Sequence, residues 1–80
     1  MRLHTQFDPS GPVTFIVTGT VDAACIAEFD YVFSAARRLG KMIRLDLSSM
    51  TEADQASLKY LAEQSADVTV VYRADANRRG

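Results

Sequence analysis

The sequence has one cysteine, no concentrated charge of either sign and no long apolar run, and each absence excludes a class of protein. Cys25 by itself can form neither an intramolecular disulfide nor a zinc site that needs several cysteines. Nine basic residues stand against ten acidic ones without a basic stripe, so we expect no nucleic-acid partner. No run approaches the roughly 20 apolar residues of a membrane span, and residues 2–20 do not resemble a signal peptide. We therefore expect a cytoplasmic protein without direct membrane insertion.

The chain has 80 residues, of which 48% are hydrophobic. It is therefore too short for two hydrophobic cores and too apolar to remain disordered. We expect one domain over residues 1–73, followed by a polar C-terminal tail over residues 74–80 that frays. A domain of this size buries only about two-thirds of the surface that its unfolded chain exposes, so its stability margin is thin and contacts with a partner could matter to it.

The spacing of apolar residues predicts four strands and two helices in the order ββαβαβ. The first two strands are expected to form a hairpin, because two prolines and a glycine lie between them. In the third strand Ile43, Leu45 and Leu47 alternate with polar residues, which indicates that helices cover only one face of the sheet. We therefore expect an α/β fold with a mixed four-stranded sheet and helices packed mainly on one face. The predicted segments are the strands Arg2–Phe7, Val13–Thr18, Met42–Leu47 and Val68–Tyr72, and the helices Ala23–Leu39 and Glu52 or Asp54 to Gln64.

Both predicted helices begin near an aspartate. The Asp22 carboxylate can accept a hydrogen bond from a free N–H group at the start of the first helix, and Gly40 can end that helix. At the start of the second helix, Thr51-x-x-Asp54 is a variant of the capping box with Asp in place of Glu. The expected apolar stripe of the first helix is Cys25, Phe29, Val32, Ala36 and Leu39, and the expected buried face of the second is Leu58, Leu61 and Ala62.

Three short motifs lie at the boundaries of these elements. Gly19-x-x-Asp22 precedes the first helix, Asp46-Leu47-Ser48 ends the third strand, and Asp54 and Leu58 lie at the start of the second helix. Together, over residues 13–65, they resemble the STAS domain of bacterial anti-sigma-factor antagonists, which carries a G-x-x-D turn, a hydrophobic-D-L-S strand and then D-S-S-G-L or D-T-S-G-L. The resemblance implies a small STAS-like domain that acts as a non-enzymatic protein-interaction module in signalling and transcription regulation.

The resemblance also implies a regulatory protein as the partner, such as an anti-sigma kinase, which is an ATPase. An alternative is an accessory subunit of an ABC-type membrane transport complex, because STAS-like domains also dock on transporter ATPases. The family reads its partner with the segment that matches residues 48–63, although a solvated turn of the same composition needs no partner. The residues expected to bind the partner are Ser48, Ser49, Thr51, Glu52, Asp54, Gln55, Ser57, Lys59 and Glu63.

The chain departs from the family at the phosphorylation switch. Gln55 and Ala56 occupy the positions of the family's phosphorylatable Ser or Thr, and neither side chain can take a phosphate. Ser57 falls where the family has glycine, and its hydroxyl could in principle be phosphorylated, since a helix N-terminus stabilises a phosphate. We therefore expect a divergent member whose binding is not switched off by a kinase.

The sequence also stops after the last strand, where family members usually add a helix. We expect Val68, Val70 and Tyr72 to lack the cover that such a helix provides. Self-association into a homodimer could replace that cover.

The remaining reactive residues have simpler structural explanations. Cys25 could be a reactive thiol, but its place in an apolar stripe favours a small buried side chain. His4 has no metal ligand at a suitable spacing and no Ser or Cys for a catalytic triad. Asp22 and Asp46 are explained by capping and turn formation rather than by a catalytic pair. We expect no catalytic residue, no metal and no cofactor, since a single-sheet domain of this size has little room for a ligand pocket.

Overall fold

A computed structural model describes residues 1–72, and within this range the predicted order ββαβαβ is confirmed. A single 3₁₀ turn, Ala23–Cys25, precedes the first helix. The predicted polar tail over residues 74–80 lies outside the described residues. The elements are β1 Arg2–Phe7, β2 Val13–Val21, α1 Ile26–Arg38, β3 Ile43–Ala53, α2 Gln55–Glu63 and β4 Val68–Val71.

The strands form one mixed sheet in the order β1-β2-β3-β4. β1 and β2 are antiparallel and make the predicted hairpin, whereas β3 runs parallel to both β2 and β4. Parallel neighbours need a crossover connection, and α1 and α2 supply the two crossovers. On the face of the sheet opposite the core, Thr14, Arg44 and Thr69 pair across three strands, and all three are at least partly exposed. Helices therefore cover mainly one face of the sheet, as predicted.

The hydrophobic core lies between the sheet and the helices. Phe29 and Phe33 of α1 are fully buried, and their ring centroids are 5.8 Å apart. Phe33 also contacts Phe15 of β2, with 5.9 Å between ring centroids. Alternate residues of β2 and β3 complete this core, which explains their period of two. These residues are Val13, Val17, Val21, Ile43, Leu45 and Leu47.

β2 and β3 are both longer than the sequence predicts. β2 continues to Val21 and β3 to Ala53, so the predicted strand ends at Thr18 and Leu47 are wrong, and residues 48–52 are part of β3. The physical reason is that the parallel ladder between the two strands continues until Val21 pairs with Ala53. Two register shifts interrupt the ladder and disturb the alternation by which a strand is recognised. Gly19 lies beside the second shift with a φ of +86°, a conformation that favours glycine.

The buried face of α2 differs from the predicted one. Leu61 is buried as expected, but Leu58 is 41% exposed, Ala62 is exposed, and Ser57 is buried instead. Asp54 fixes the start of the helix, and from that start Ser57 and Leu61, four residues apart, both face the core. The prediction is wrong for Leu58 and Ala62 because it assumed that the most hydrophobic residues of α2 face the core. The position of the Asp54 cap turns Ser57 and Leu61 toward the core instead.

Three other apolar positions also need correction. Leu39 is 69% exposed, because α1 ends at Arg38 and Leu39 is only its C-cap. Val68 does not lack cover, because it is buried in the core cluster, and Val70 is partly buried and packs against that cluster. Tyr72 is 61% exposed, as predicted.

Candidate functional site

The carboxyl ends of β2 and β3 lie side by side, and Asp54 joins them to both helices. Asp54 is the N-cap of α2, and its Oδ1 accepts a hydrogen bond from the Ser57 N–H at 2.8 Å. Its Oδ2 accepts a second hydrogen bond, at 3.0 Å, from the Ala23 N–H in the turn that leads into α1. The Asp54 N–H donates to the Val21 carbonyl oxygen at 3.1 Å. One residue thus connects the starts of two crossovers with the end of β2.

The Asp54 carboxyl is held in its charged form. The Ser57 side chain and then the Ser57 N–H lower its pKa, and the Ala23 N–H adds a smaller lowering, while desolvation opposes these effects. Asp54 caps α2, as the sequence predicts, but it does so as the N-cap itself. The predicted capping box is wrong, because Thr51 lies in β3, where its Oγ1 is 3.4 Å from the Oγ1 of Thr20.

Asp22 has the capping role that the sequence predicts, whereas the turn predicted for Asp46 is a register shift within β3. Asp22 Oδ1 accepts a hydrogen bond from the Ala24 N–H at 3.1 Å and so caps the turn before α1. Asp46 Oδ1 accepts two hydrogen bonds from Ser48, one from its hydroxyl at 2.6 Å and one from its N–H at 2.9 Å. These two groups lower the pKa of Asp46. They also stabilise the bend at the first register shift of β3.

A small cleft lies at the paired ends of β2 and β3. Its volume is about 220 Å³, below the range of about 300 to 1,000 Å³ that is usual for ligand pockets. Within residues 1–72, no group of three or more His, Cys, Asp or Glu residues could hold a metal ion. The residues that line the cleft are Thr20, Val21, Asp22, Glu52, Ala53 and Asp54.

Most of the predicted partner-binding residues are exposed at the end of β3 and along α2. Gln55, Lys59 and Glu63 lie four residues apart and share the side of α2 that is opposite the buried Ser57 and Leu61. Ser48 is only partly buried. The exposed members of the predicted set are Ser49, Thr51, Glu52, Asp54, Gln55, Lys59 and Glu63.

Ser57 differs from the rest of the predicted set, because its side chain is fully buried. Its hydroxyl lies close enough to the Asp54 carboxyl to lower the pKa of that group, but among the described residues its oxygen has no partner with full hydrogen-bond geometry. The exposed positions beside it are Gln55 and Ala56, where the family has its phosphorylatable residues. A kinase or a partner protein could reach the Ser57 hydroxyl only after α2 opened locally.

Sequence reasoning missed the contribution of Ala23 to this junction, and the signal for it was indirect. Parallel pairing of β2 with β3 puts the residues that follow them next to each other, so a residue just after Val21 was a candidate neighbour of Asp54. His4 is exposed on β1, and Cys25 is only partly buried, with its Sγ 3.6 Å from Asp22 Oδ1.

Within the part of the chain that the structure describes, no helix is long and apolar enough to cross a membrane.

Comparison with known proteins rests on the fold alone. No family model matches the sequence, and no curated protein matches it either. The fold is similar to that of the anti-sigma factor antagonist SpoIIAA in its unphosphorylated form, with a TM-score of 0.67 and 12% sequence identity. The similarity covers 82% of this chain and 62% of the SpoIIAA chain, so this chain spans less than two-thirds of that structure. The resemblance to a STAS domain is thereby confirmed at the level of the fold.

Proposed function

We propose that this chain is a non-enzymatic, cytoplasmic interaction module that binds a regulatory protein of the anti-sigma kinase type, an ATPase. The observation that carries the proposal is the SpoIIAA-like fold combined with an exposed surface at the end of β3 and along α2, where the resemblance expects a partner. We call this surface the docking surface, and it consists of Ser49, Thr51, Glu52, Gln55, Leu58, Lys59 and Glu63.

The composition of the docking surface supports a protein partner. Leu58 is 41% exposed and lies beside the row formed by Gln55, Lys59 and Glu63. An apolar side chain with polar neighbours is the usual arrangement at the centre and rim of a protein interface. Charged residues of both signs, Lys59 and Glu63, would give the contact its orientation rather than most of its affinity.

The binding we propose does not respond to phosphorylation. Gln55 and Ala56 cannot carry a phosphate, and the Ser57 hydroxyl is buried. Intact-mass measurement after incubation with an anti-sigma kinase and ATP should therefore find an unmodified chain. A stoichiometric phosphate on Ser57 would contradict this part of the proposal.

The binding itself is tested by calorimetric titration of the chain with an ATP-binding anti-sigma kinase. Leu58→Ala and Lys59→Glu should each weaken the complex, since both change the docking surface. Arg44→Ala is the matched control, because Arg44 is exposed on the opposite face of the sheet. Binding that Arg44→Ala weakens as much as Leu58→Ala would place the contact elsewhere.

A transporter ATPase is the second partner class to which the resemblance extends. Co-purification from native cells separates the two classes, because an anti-sigma kinase and an ABC-type transport complex differ in size and location. Recovery with transport subunits would replace the regulatory role by that of an accessory subunit.

A further inference from the structure

An apolar groove lies between β1 and α1, on the side of the molecule away from α2. Its volume is about 190 Å³, and its lining includes Val13 and Ala36 from the core. Three large side chains at the groove remain open to solvent: Phe7 is 60% exposed, Tyr31 72% and Leu39 69%. A cluster of exposed apolar side chains of this kind is typical of an interaction surface.

The C-terminal residues of the sequence are poorly suited to fill this groove. Residues 73–80 have no apolar side chain larger than alanine, and three of the eight are arginine. They follow β4, which lies at the opposite edge of the sheet from β1. The composition of residues 73–80 therefore does not match an apolar groove.

The exposed stripe of α1 beside the groove is complementary to itself. Glu28 lies near the N-terminus of the helix and Arg38 at its C-terminus, and both are exposed. Tyr31 and Ala35 lie between them, each three or four residues from the next member of the stripe. When two such helices meet in antiparallel orientation about a twofold axis, Glu28 of each lies opposite Arg38 of the other. Tyr31 of each then lies opposite Ala35 of the other.

We propose that the groove is covered by a second copy of this chain, through antiparallel twofold pairing of the two α1 helices. The large Tyr31 ring of one copy packs on the small Ala35 of the other, and Ala35 lines the groove. Two Glu28–Arg38 pairs flank this contact and fix its register. The contacts of this dimer lie on α1, so the docking surface on β3 and α2 stays free. It differs from self-association through Val70 and Tyr72, which lie on the last strand and just after it.

Sedimentation equilibrium of the full chain across the micromolar range tests the proposal. The wild-type chain should form a dimer, and Tyr31→Ala should weaken it. Glu28→Lys and Arg38→Glu each place like charges at both ion-pair contacts, so each should weaken the dimer roughly tenfold or more. An equimolar mixture of these two variants again has opposite charges at both contacts, and it should form a heterodimer of near wild-type affinity. Lys59→Glu on α2 is the matched charge control and should leave dimerisation unchanged.

A chain that stays monomeric across this range overturns the proposal. So does a dimer that neither Glu28→Lys nor Arg38→Glu weakens, and so does a mixture of the two variants that fails to recover affinity. A dimer that dissociates on Tyr72→Ala but not on Tyr31→Ala has its contact at the β4 edge and also overturns the proposal. All of these side chains are exposed, and circular dichroism confirms that each variant is folded.

Discussion

The Oδ2 atom of Asp54 accepts a hydrogen bond from the N–H of Ala23, 3.0 Å away, although the two residues begin different crossovers of the sheet. The first N–H groups of a helix have no partner within the helix, and one carboxylate satisfies such a group in both crossovers. Asp22, by contrast, caps only its own turn. Both aspartates therefore cap a helical segment, but only Asp54 also connects the two crossovers.

Asp54→Ala should lower the free energy of unfolding by more than Asp22→Ala does. Loss of Asp22, an ordinary N-cap, should cost about 1 kcal/mol. Loss of Asp54 removes a cap and also the contact between the two crossovers. Thr51→Ala is the control, and we expect a change within about 0.5 kcal/mol because Thr51 lies in β3 and caps no helix. Urea unfolding measures all three, and equal losses for the two aspartates would contradict the junction role.

Ser57→Ala should change the stability by less than about 1 kcal/mol in either direction. Alanine lacks the desolvation cost of a buried hydroxyl without full hydrogen-bond geometry and has the higher helix propensity, and these gains offset the loss of the hydroxyl that lowers the pKa of Asp54. Ser57→Leu is the contrasting variant, which should lower stability by about 1 to 3 kcal/mol because the site is fully packed. Thermal unfolding compares the two. If Ser57→Ala proved clearly destabilising, the hydroxyl would have to be hydrogen-bonded in solution.

Stability should decrease at acid pH through Asp46 and Asp54. The pKa of each carboxyl is lowered in the folded state, chiefly by the side chains of Ser48 and Ser57 respectively. The unfolded chain therefore binds these protons more readily, so the stabilisation is complete above the unfolded pKa of about 3.9 and is lost as the pH falls through the lower folded values.

Urea unfolding at a series of pH values measures this dependence. Asp54→Asn and Asp46→Asn should each reduce the slope of stability against pH below about pH 4, because one titrating carboxyl is removed in each. Glu63→Gln, which removes an exposed carboxyl at the C-terminal end of α2, is the control. An unchanged slope in both Asn variants would mean that other groups cause the acid dependence.

The order of the elements could be predicted from the sequence because the necessary signals are local. The period of two in β2 and the helical spacing of Phe29, Val32 and Ala36 each arise within one segment. The extension of β3 could not be predicted in the same way. Residues 48–52 are largely polar, and they become a strand only because β2 runs beside them and pairs with them.

In the candidate site, too, some features follow from local sequence and others depend on tertiary contacts. The Asp54 cap could be predicted, since an aspartate before a helix is a local signal. Its bond to Ala23 depends on the adjacency of two parallel strands, which is a tertiary property. Ser57 and Leu58 are neighbours in sequence, and hydropathy alone favours burial of Leu58. The packing of α2 from its Asp54 cap selects Ser57 instead.

Arg37 at the end of α1 holds the segment between α2 and β4. Its Nε and Nη2 donate to the two carboxylate oxygens of Asp67 at 2.7 and 2.8 Å. The side chains are 35% and 53% exposed, so solvent screening limits the pair, and a double-mutant cycle with Arg37→Ala and Asp67→Ala should give a small favourable coupling. Arg37→Lys should lose most of that coupling, because lysine cannot make the two-point contact. Unfolding in low and high salt measures the coupling, which screening should reduce. The Arg37 guanidinium also lies over the Phe33 ring, 5.8 Å from its centroid. A coupling energy near zero in low salt would therefore mean that this packing on Phe33, and not the ion pair with Asp67, holds the end of α1.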